Sequence, residues 1–166
     1  MQPACTAEFA VGKMQYDLAQ LGMKYVDLVL IHHPDTDACN QALWKGLEQA
    51  QSMGLTKAIG VSNFSPAQME AIMRVGPTPV VNQCGMSLKN HDDATIAWCQ
   101  AHRVTYEAFD AMKGCDFSSS VVQGIATSHG VGVAQVRTDN TSTLRQPRRA
   151  GPRQCFPAAW CSAVEH

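Results

Sequence analysis

The pattern of apolar and polar positions along the chain predicts helices and strands that follow one another in alternation. The first block has apolar residues at helical spacing, and Gly22 follows it where the end of a helix is expected. Its apolar face comprises Val11, Met14, Leu18 and Leu21. Residues 26–32 then form an apolar run whose polar members are Asp27 and His32. Such a run predicts a strand buried on both faces, as is usual in parallel sheets.

The same order of strand and helix repeats along the chain. Further strands are predicted at residues 57–62, 79–83 and 103–109. Helices are predicted at about residues 37–54, 66–75, 92–101 and 119–128, and another begins near Val133. Asp37 is expected to cap the first of these, and Ser65-Pro66-Ala67-Gln68 has the form of a capping box with proline at the first helical position.

Strands that alternate with helices imply βαβ units and a parallel α/β sheet. The right-handed crossover rule leaves two main arrangements, an arc of a barrel or an open doubly wound sheet. No Gly-rich dinucleotide fingerprint follows any predicted strand, which argues against half of a Rossmann fold. The pattern alone does not choose between the two arrangements.

The chain changes character after Val136. Residues 137–166 contain five arginines and no lysine, with frequent Pro, Ser and Thr and no apolar period. We therefore expect a folded part at residues 1–136 and an unrelated, disordered Arg/Pro-rich tail at residues 137–166. The tail is either a basic segment that binds an anionic partner or sequence foreign to the fold. The helical pattern that is cut off at residues 134–136 favours the second interpretation.

Composition limits the class of protein further. The 166 residues are fewer than the roughly 250 of a closed (β/α)8 barrel. The net charge of -1 predicts no nucleic-acid partner, and no apolar run is long enough to span a membrane. Seven scattered cysteines fit a reducing compartment better than a disulfide framework, so we expect a cytoplasmic protein.

Three segments resemble the aldo-keto reductase family. Residues 21–34, LGMKYVDLVLIHHP, are similar to the family pattern LGxDYxDLYLIHxP. Trp44 followed by residues 54–64, GLTKAIGVSNF, is similar to W…GKxRxIGVSNF, and residues 81–83 match VNQ. Their order and spacing are also those of the family, and weaker similarity extends the match to about residues 11–136.

The resemblance implies an α/β fold that is a partial (β/α)8 TIM barrel. The strands of this chain would be the fourth to seventh of that barrel. The first three strands, the eighth strand and the closing segment have no counterpart in this sequence. The implied activity is NAD(P)H-dependent reduction of an aldehyde or ketone to an alcohol, with NADPH as the expected cofactor and NADH as the second choice.

The resemblance also implies site residues. By the resemblance, His32 corresponds to the family's histidine that hydrogen-bonds the carbonyl oxygen of the substrate. His33, the next residue, is expected to line the substrate mouth and not to bind a metal. Ser62, Asn63 and Gln83 match the residues that hold the nicotinamide carboxamide. Each also has a purely structural interpretation, as a strand-end histidine, a loop turn or a satisfied buried amide.

Phe109 takes the place of the family's tyrosine that stacks under the nicotinamide ring, and a core aromatic is the alternative. The family's SPLG is replaced here by residues 110–114, DAMKG, which changes the local cofactor loop. Residues 32–39 contain several metal-ligand types, but their spacing fits no zinc pattern, so no metal is expected.

The family's proton-donating tyrosine and its lysine and aspartate partners have no match in this sequence. Tyr16, Tyr25 and Tyr106 do not fit the tyrosine's motif. We therefore expect little turnover of a carbonyl substrate by this chain alone. Three hypotheses stay open: a reductase represented by an incomplete chain, a non-catalytic nucleotide-binding or interaction protein derived from the fold, and a product without a stable fold.

Overall fold

A computed structural model describes residues 5–87, 90–114 and 116–136, in which helices and strands alternate as predicted. In chain order the elements are α1 (Ala7–Leu21), β1 (Val26–Ile31), α2 (Asp37–Ser52), β2 (Thr56–Ser62), α3 (Pro66–Met73), β3 (Val81–Gly85), α4 (Asp93–His102), β4 (Thr105–Phe109) and α5 (Ser120–His129). The strands form one sheet in the order β1-β2-β3-β4, and each adjacent pair is parallel. The predicted tail at residues 137–166 lies outside the described residues.

Local signals start and stop the helices largely as the sequence indicates. The capping box of α3 is present. The Ser65 backbone N–H donates to the Gln68 side-chain oxygen, and the Gln68 backbone N–H donates to the Ser65 hydroxyl oxygen. Pro66 is the first residue of the helix. Gly22 ends α1 in the left-handed conformation, at a φ of 65°. The prediction that Asp37 caps α2 is wrong by one residue. The cap is Thr36, whose side-chain oxygen accepts a hydrogen bond from the backbone N–H of Cys39. Asp37 instead lies in the first turn, where its charge suits the helix dipole.

The main core lies between the helices and one face of the sheet. Its buried members are Ile31, Trp44, Leu47, Ile59, Val61, Phe64, Met69, Ile72, Cys99 and Val104. Trp44 is fully buried, and its indole N–H donates to the backbone oxygen of Pro77 at 3.1 Å. That hydrogen bond satisfies the one polar atom of a large side chain and fixes α2 against the turn after α3.

The opposite face of the sheet, which we call the open face, is not covered by a layer of described residues. It carries Leu28, Ala58, Gln83, Glu107 and Phe109. Leu28 is 39% exposed and Phe109 37% exposed. The prediction that the first strand is buried on both faces is therefore wrong at Leu28, on the open face of β1. In a closed (β/α)8 barrel the corresponding face points into the barrel interior and is packed by the other strands.

A disulfide joins Cys5, just before α1, to Cys39 in the first turn of α2. The expectation of reduced cysteines does not hold for this pair. The two helices run side by side from their amino-terminal ends, and they approach closely at Gly46. A Cβ added to Gly46 would lie 2.6 Å from the Cβ of Ala10 and 2.6 Å from the backbone oxygen of Ala7. The Cys5–Cys39 pair forms because packing brings α1 and α2 together, and the spacing of cysteines along the sequence does not show that packing.

None of the helices in the described parts of the chain has the length and apolar character to cross a membrane.

Candidate functional site

His32 and His33 directly follow β1, at the carboxyl edge of the sheet. Both side chains are exposed, and their rings lie 4.1 Å apart at an interplanar angle of 37°. Loops at this edge carry the active sites of (β/α)8 barrels. The two imidazoles are therefore presented together at the edge where the sequence predicts chemistry.

Asn63 links the histidine loop to the next strand. Its backbone is left-handed, with a φ of 62°. Its side-chain nitrogen lies 3.2 Å from the backbone oxygen of His32, 3.3 Å from Nδ1 of His33 and 3.0 Å from Oγ of Ser62. An amide nitrogen carries two N–H groups, so it can donate to at most two of these three neighbours at a time. The Asn63 side-chain oxygen has no hydrogen bond to another described residue.

Ser62 is the buried part of this network. Its side chain is 1% exposed, and its hydroxyl donates to the backbone oxygen of Gln83 at 2.8 Å. The backbone N–H of Asn63 donates to the same oxygen at 2.9 Å. The Ser62 hydroxyl thus joins the ends of β2 and β3, and it contributes to the site chiefly by holding Asn63 in place.

Gln83 differs from its neighbours because its side-chain amide makes no hydrogen bond to another described residue. It is half-buried, and its register partners are Ser62 and Glu107. A half-buried amide without a partner has one donor group and one acceptor group left to offer. Gln83 is accordingly suited to bind a planar polar ligand from the open face.

Asn82, the residue before Gln83, was missed by the sequence analysis. It is fully buried and exchanges two hydrogen bonds with the backbone of Phe64, at 2.8 and 3.3 Å. These bonds fix the chain immediately after Asn63. The motif at residues 81–83 therefore combines a structural amide with an available one. Successive side chains of a strand point to opposite faces of the sheet, and this rule could have predicted that Asn82 and Gln83 lie on different faces.

Phe109 and Asn63 line a cavity of about 440 Å³ beside the end of the sheet. The other lining residues are Gly85, Met86, Ser87, Asn90, Asp110, Lys113 and Gly114, none of which the sequence analysis selected individually. Gly85 is the last residue of β3 and the others follow β3 or β4, so their position at the carboxyl ends of strands was the signal available. Lys113 lies 2.9 Å from Asp110, whose hydrogen bond raises the pKa of the lysine.

None of the chain's three tyrosines lies in the histidine and amide network. Tyr16 is exposed on α1. Tyr25 precedes β1 at the opposite edge, where the Lys57 nitrogen lies 4.4 Å from its ring. Tyr106 packs against the main core, and its hydroxyl donates to the backbone oxygen of Gly85. Burial raises the pKa of Tyr106 well above its ordinary value.

The comparisons with known proteins agree on one family. The sequence model described as "Aldo/keto reductase family" matches residues 1–138. The chain is 30% identical to NADPH-dependent codeinone reductase 1-2 of Papaver somniferum, over 78% of this chain and 48% of that protein. It is 32% identical to the uncharacterized oxidoreductase YtbE of Bacillus subtilis (strain 168), over 78% of this chain and 46% of that protein.

Solved structures give the same answer. An aldo/keto reductase from Brucella melitensis matches with a TM-score of 0.78 and 28% identity, over 83% of this chain and 55% of that one. The aldo-keto reductase AKR2E5 complexed with NADPH matches with a TM-score of 0.78 and 26% identity, over 86% of this chain and 50% of that one. The fold is therefore part of a (β/α)8 barrel, as the resemblance implied.

The chain belongs to the aldo-keto reductase family, a family of oxidoreductases. It spans about half the length of the curated relatives it matches. The predicted resemblance and fold class are confirmed. The assignment of its strands as the fourth to seventh, the division at residue 136 and the roles of the individual site residues stay predictions.

Proposed function

We propose that this chain supplies the carboxyl-edge part of a nicotinamide-cofactor site, for the NADPH-dependent reduction of an aldehyde or ketone to an alcohol. The observation that carries the proposal is the half-buried Gln83 amide, which makes no hydrogen bond to another described residue and lies beside the Asn63 network. NADH is the second choice of cofactor. The substrate is a small-molecule carbonyl compound, and no nucleic-acid or membrane partner is invoked.

The donor set fits a carboxamide. Such a ligand offers one N–H donor group and one carbonyl acceptor, so its site must offer the reverse. Gln83 supplies both kinds of atom, and the side-chain oxygen of Asn63 is available as a further acceptor. Ser62 contributes indirectly, because its hydroxyl is already engaged with Gln83 and Asn63. Phe109 offers an exposed aromatic face beside the 440 Å³ cavity, on which a flat ring can stack.

His32 is proposed as the catalytic residue of this part of the site. When bound, the cofactor supplies the hydride. An imidazole N–H at the end of β1 stabilises the negative charge that builds on the carbonyl oxygen as the hydride arrives. The His33 ring lies against that of His32 in a tilted arrangement, and His33 lines the approach for the substrate. The names of relatives support NADPH, since the codeinone reductase is NADPH-dependent and AKR2E5 was solved with NADPH.

The placement of the tyrosines favours low turnover by this chain assayed alone. A positioned general acid contributes about 10²–10⁴-fold to such a reaction. The Tyr106 hydroxyl already donates to the backbone oxygen of Gly85, and burial raises the pKa of Tyr106, which makes it a weaker acid. We therefore expect cofactor binding without enzyme-like turnover, which is also the behaviour of the non-catalytic nucleotide-binding alternative.

The first experiment titrates the full chain with NADPH and follows cofactor fluorescence. Gln83→Ala should raise the Kd about tenfold, because it removes hydrogen bonds to a buried polar ligand. Gln20→Ala, at an exposed amide on α1, is the matched control and should leave the Kd unchanged. Equal Kd values for Gln83→Ala and the parent chain would contradict the assignment of the cofactor site.

A second experiment adds 4-nitrobenzaldehyde and follows NADPH absorbance. Binding without measurable turnover is the expected result. Turnover at the rate of a complete reductase, lost in His32→Ala, would show that this chain contains its own proton donor. His33→Ala and Tyr106→Phe would then identify that donor.

A further inference from the structure

We propose that the Cys5–Cys39 pair is a reversible thiol–disulfide site. It reacts with small anionic thiols such as glutathione, and its redox state sets the mobility of the loop that carries His32 and His33. The pair joins the amino-terminal ends of α1 and α2, and Cys39 lies only three residues beyond the cap Thr36 that closes this loop. The thiol chemistry does not depend on the proposed function of the loop.

The two sulfurs differ in access. Cys39 is 4% exposed, whereas Cys5 is exposed. A cavity of about 440 Å³ opens beside Cys5, and its lining includes Lys45 and Glu8. The Lys45 ammonium suits the carboxylates of an anionic thiol, and Glu8 limits that attraction. A thiol in this cavity reaches the Cys5 sulfur first.

The exchange is balanced as follows. The thiolate of one small molecule attacks Cys5 Sγ, a mixed disulfide forms there, and the Cys5–Cys39 bond breaks with its electron pair on Cys39 Sγ. A second thiolate attacks the small-molecule sulfur of the mixed disulfide and releases Cys5. The protein gains two electrons and two protons, and two small thiols become one small disulfide. The same small disulfide reverses the reaction.

Cys39 is the sulfur released in this exchange, and two nearby groups act on its thiolate in opposite directions. It lies in the first turn of the 16-residue helix α2, and the amino end of a helix stabilises a thiolate. A carboxylate oxygen of Asp35 lies within 4.8 Å of both sulfurs. A thiolate formed there is repelled by the Asp35 carboxylate, which favours separation of the two helix ends once the disulfide is broken.

Hydrogen bonds connect Cys39 to the histidine loop. The buried Asn40 side chain accepts from the backbone N–H of Asp35 at 2.8 Å and donates to its oxygen at 3.0 Å. Thr36 accepts from the backbone N–H of Cys39 at 3.4 Å and of Asn40 at 2.9 Å. These bonds bind the end of the loop to the first turn of α2. A change in that turn is therefore transmitted to the residues that follow His33.

The test equilibrates the full chain in glutathione buffers of graded thiol-to-disulfide ratio, alkylates it, and quantifies the linked Cys5–Cys39 peptide by mass spectrometry. Amide hydrogen exchange is then compared between the oxidised and reduced chain. Reduction should speed exchange at Asp35, Cys39 and Asn40 by about tenfold, because a local constraint is removed. The amide of Val104, bonded to Cys99 in the main core, should be unchanged.

Two variants complete the design. Cys39→Ser should exchange like the reduced chain at every buffer ratio, and Cys84→Ser, at a free cysteine, should keep the transition. If Cys39→Ser does not fold, the comparison of oxidised and reduced parent chain still decides. Alkylation of both Cys5 and Cys39 at every ratio would overturn the proposal. Identical exchange in the two states would overturn it as well, and neither result bears on NADPH binding by Gln83.

Discussion

Asn82 and Phe64 are joined by two hydrogen bonds that cross from β3 to the chain after β2. The Asn82 nitrogen donates to the Phe64 oxygen at 2.8 Å, and the Phe64 N–H donates to the Asn82 side-chain oxygen at 3.3 Å. Both residues are buried, so no water replaces either bond. The pair fixes the segment in which Asn63 holds the histidine loop.

The first prediction contrasts two adjacent amides. Asn82→Ala leaves the buried N–H and oxygen of Phe64 without partners, and it should lower the free energy of unfolding by roughly 2 kcal/mol or more. Gln83→Ala removes an amide that has no described partner and should cost well under about 1 kcal/mol. Urea denaturation of both variants measures the contrast. Equal losses would mean that the Asn82 bonds contribute nothing specific.

The second prediction concerns two helical glycines. Gly46→Ala places a methyl group 2.6 Å from both the Ala10 Cβ and the Ala7 oxygen, so it should separate α1 from α2 and destabilise the fold by about 1–3 kcal/mol. Gly12→Ala, on α1 with nothing within 4 Å, should instead stabilise it by about 0.5–1 kcal/mol. The midpoint of thermal unfolding should fall for Gly46→Ala and rise for Gly12→Ala. Shifts of the same sign in both variants would refute the packing argument.

The third prediction is a pH dependence at the start of α4. Hydrogen bonds from the Thr95 hydroxyl and backbone lower the pKa of the Asp92 carboxyl. A lowered folded pKa means that this stabilisation is complete above the ordinary value of 3.8 and is lost as the pH falls through the folded value. Asp92 is also the N-cap of α4, where its side chain accepts from the backbone N–H of Thr95, so Asp92→Ala should cost about 1 kcal/mol at neutral pH.

The check is urea denaturation of the parent chain and Asp92→Ala from neutral pH down to about pH 3. The difference in free energy of unfolding between the parent chain and Asp92→Ala should become smaller at the lowest pH values. Asp92→Asn keeps a neutral cap, so its advantage over Asp92→Ala should not change with pH. A parent-to-Ala difference that stays constant with pH would show that the Asp92 charge is not involved.

The fourth prediction concerns thiol reactivity. Burial raises the pKa of Cys99 to about 11, and the side chain is fully buried. Burial also raises the pKa of the half-buried Cys84. Since the thiolate is the nucleophile, iodoacetamide at pH near 8 should label Cys99 far more slowly than Cys84 in the folded chain. Both should react at similar rates in urea, and fast labelling of Cys99 in the folded chain would contradict its burial.

The sequence by itself determined the local elements of this protein. The capping box at Ser65 and Gln68 and the stop at Gly22 act through contacts between residues a few positions apart, and the apolar runs of the strands occupy consecutive positions. Such signals are readable from spacing alone, and with the family motifs they indicated an arc of a (β/α)8 barrel. They also brought attention to the strand ends, where His32, Asn63 and Gln83 lie together.

Only the tertiary structure decided what each of those residues is bonded to. Asn82 and Gln83 are adjacent amides, and burial against Phe64 makes one structural while the open face leaves the other available. The pairing of Cys5 with Cys39 depends on how closely α1 approaches α2, and the two cysteines are 34 positions apart, too far for a local signal. Hydrogen bonds and disulfides between distant segments form only where packing brings their atoms together, so the packing, and not the spacing, assigned these partners.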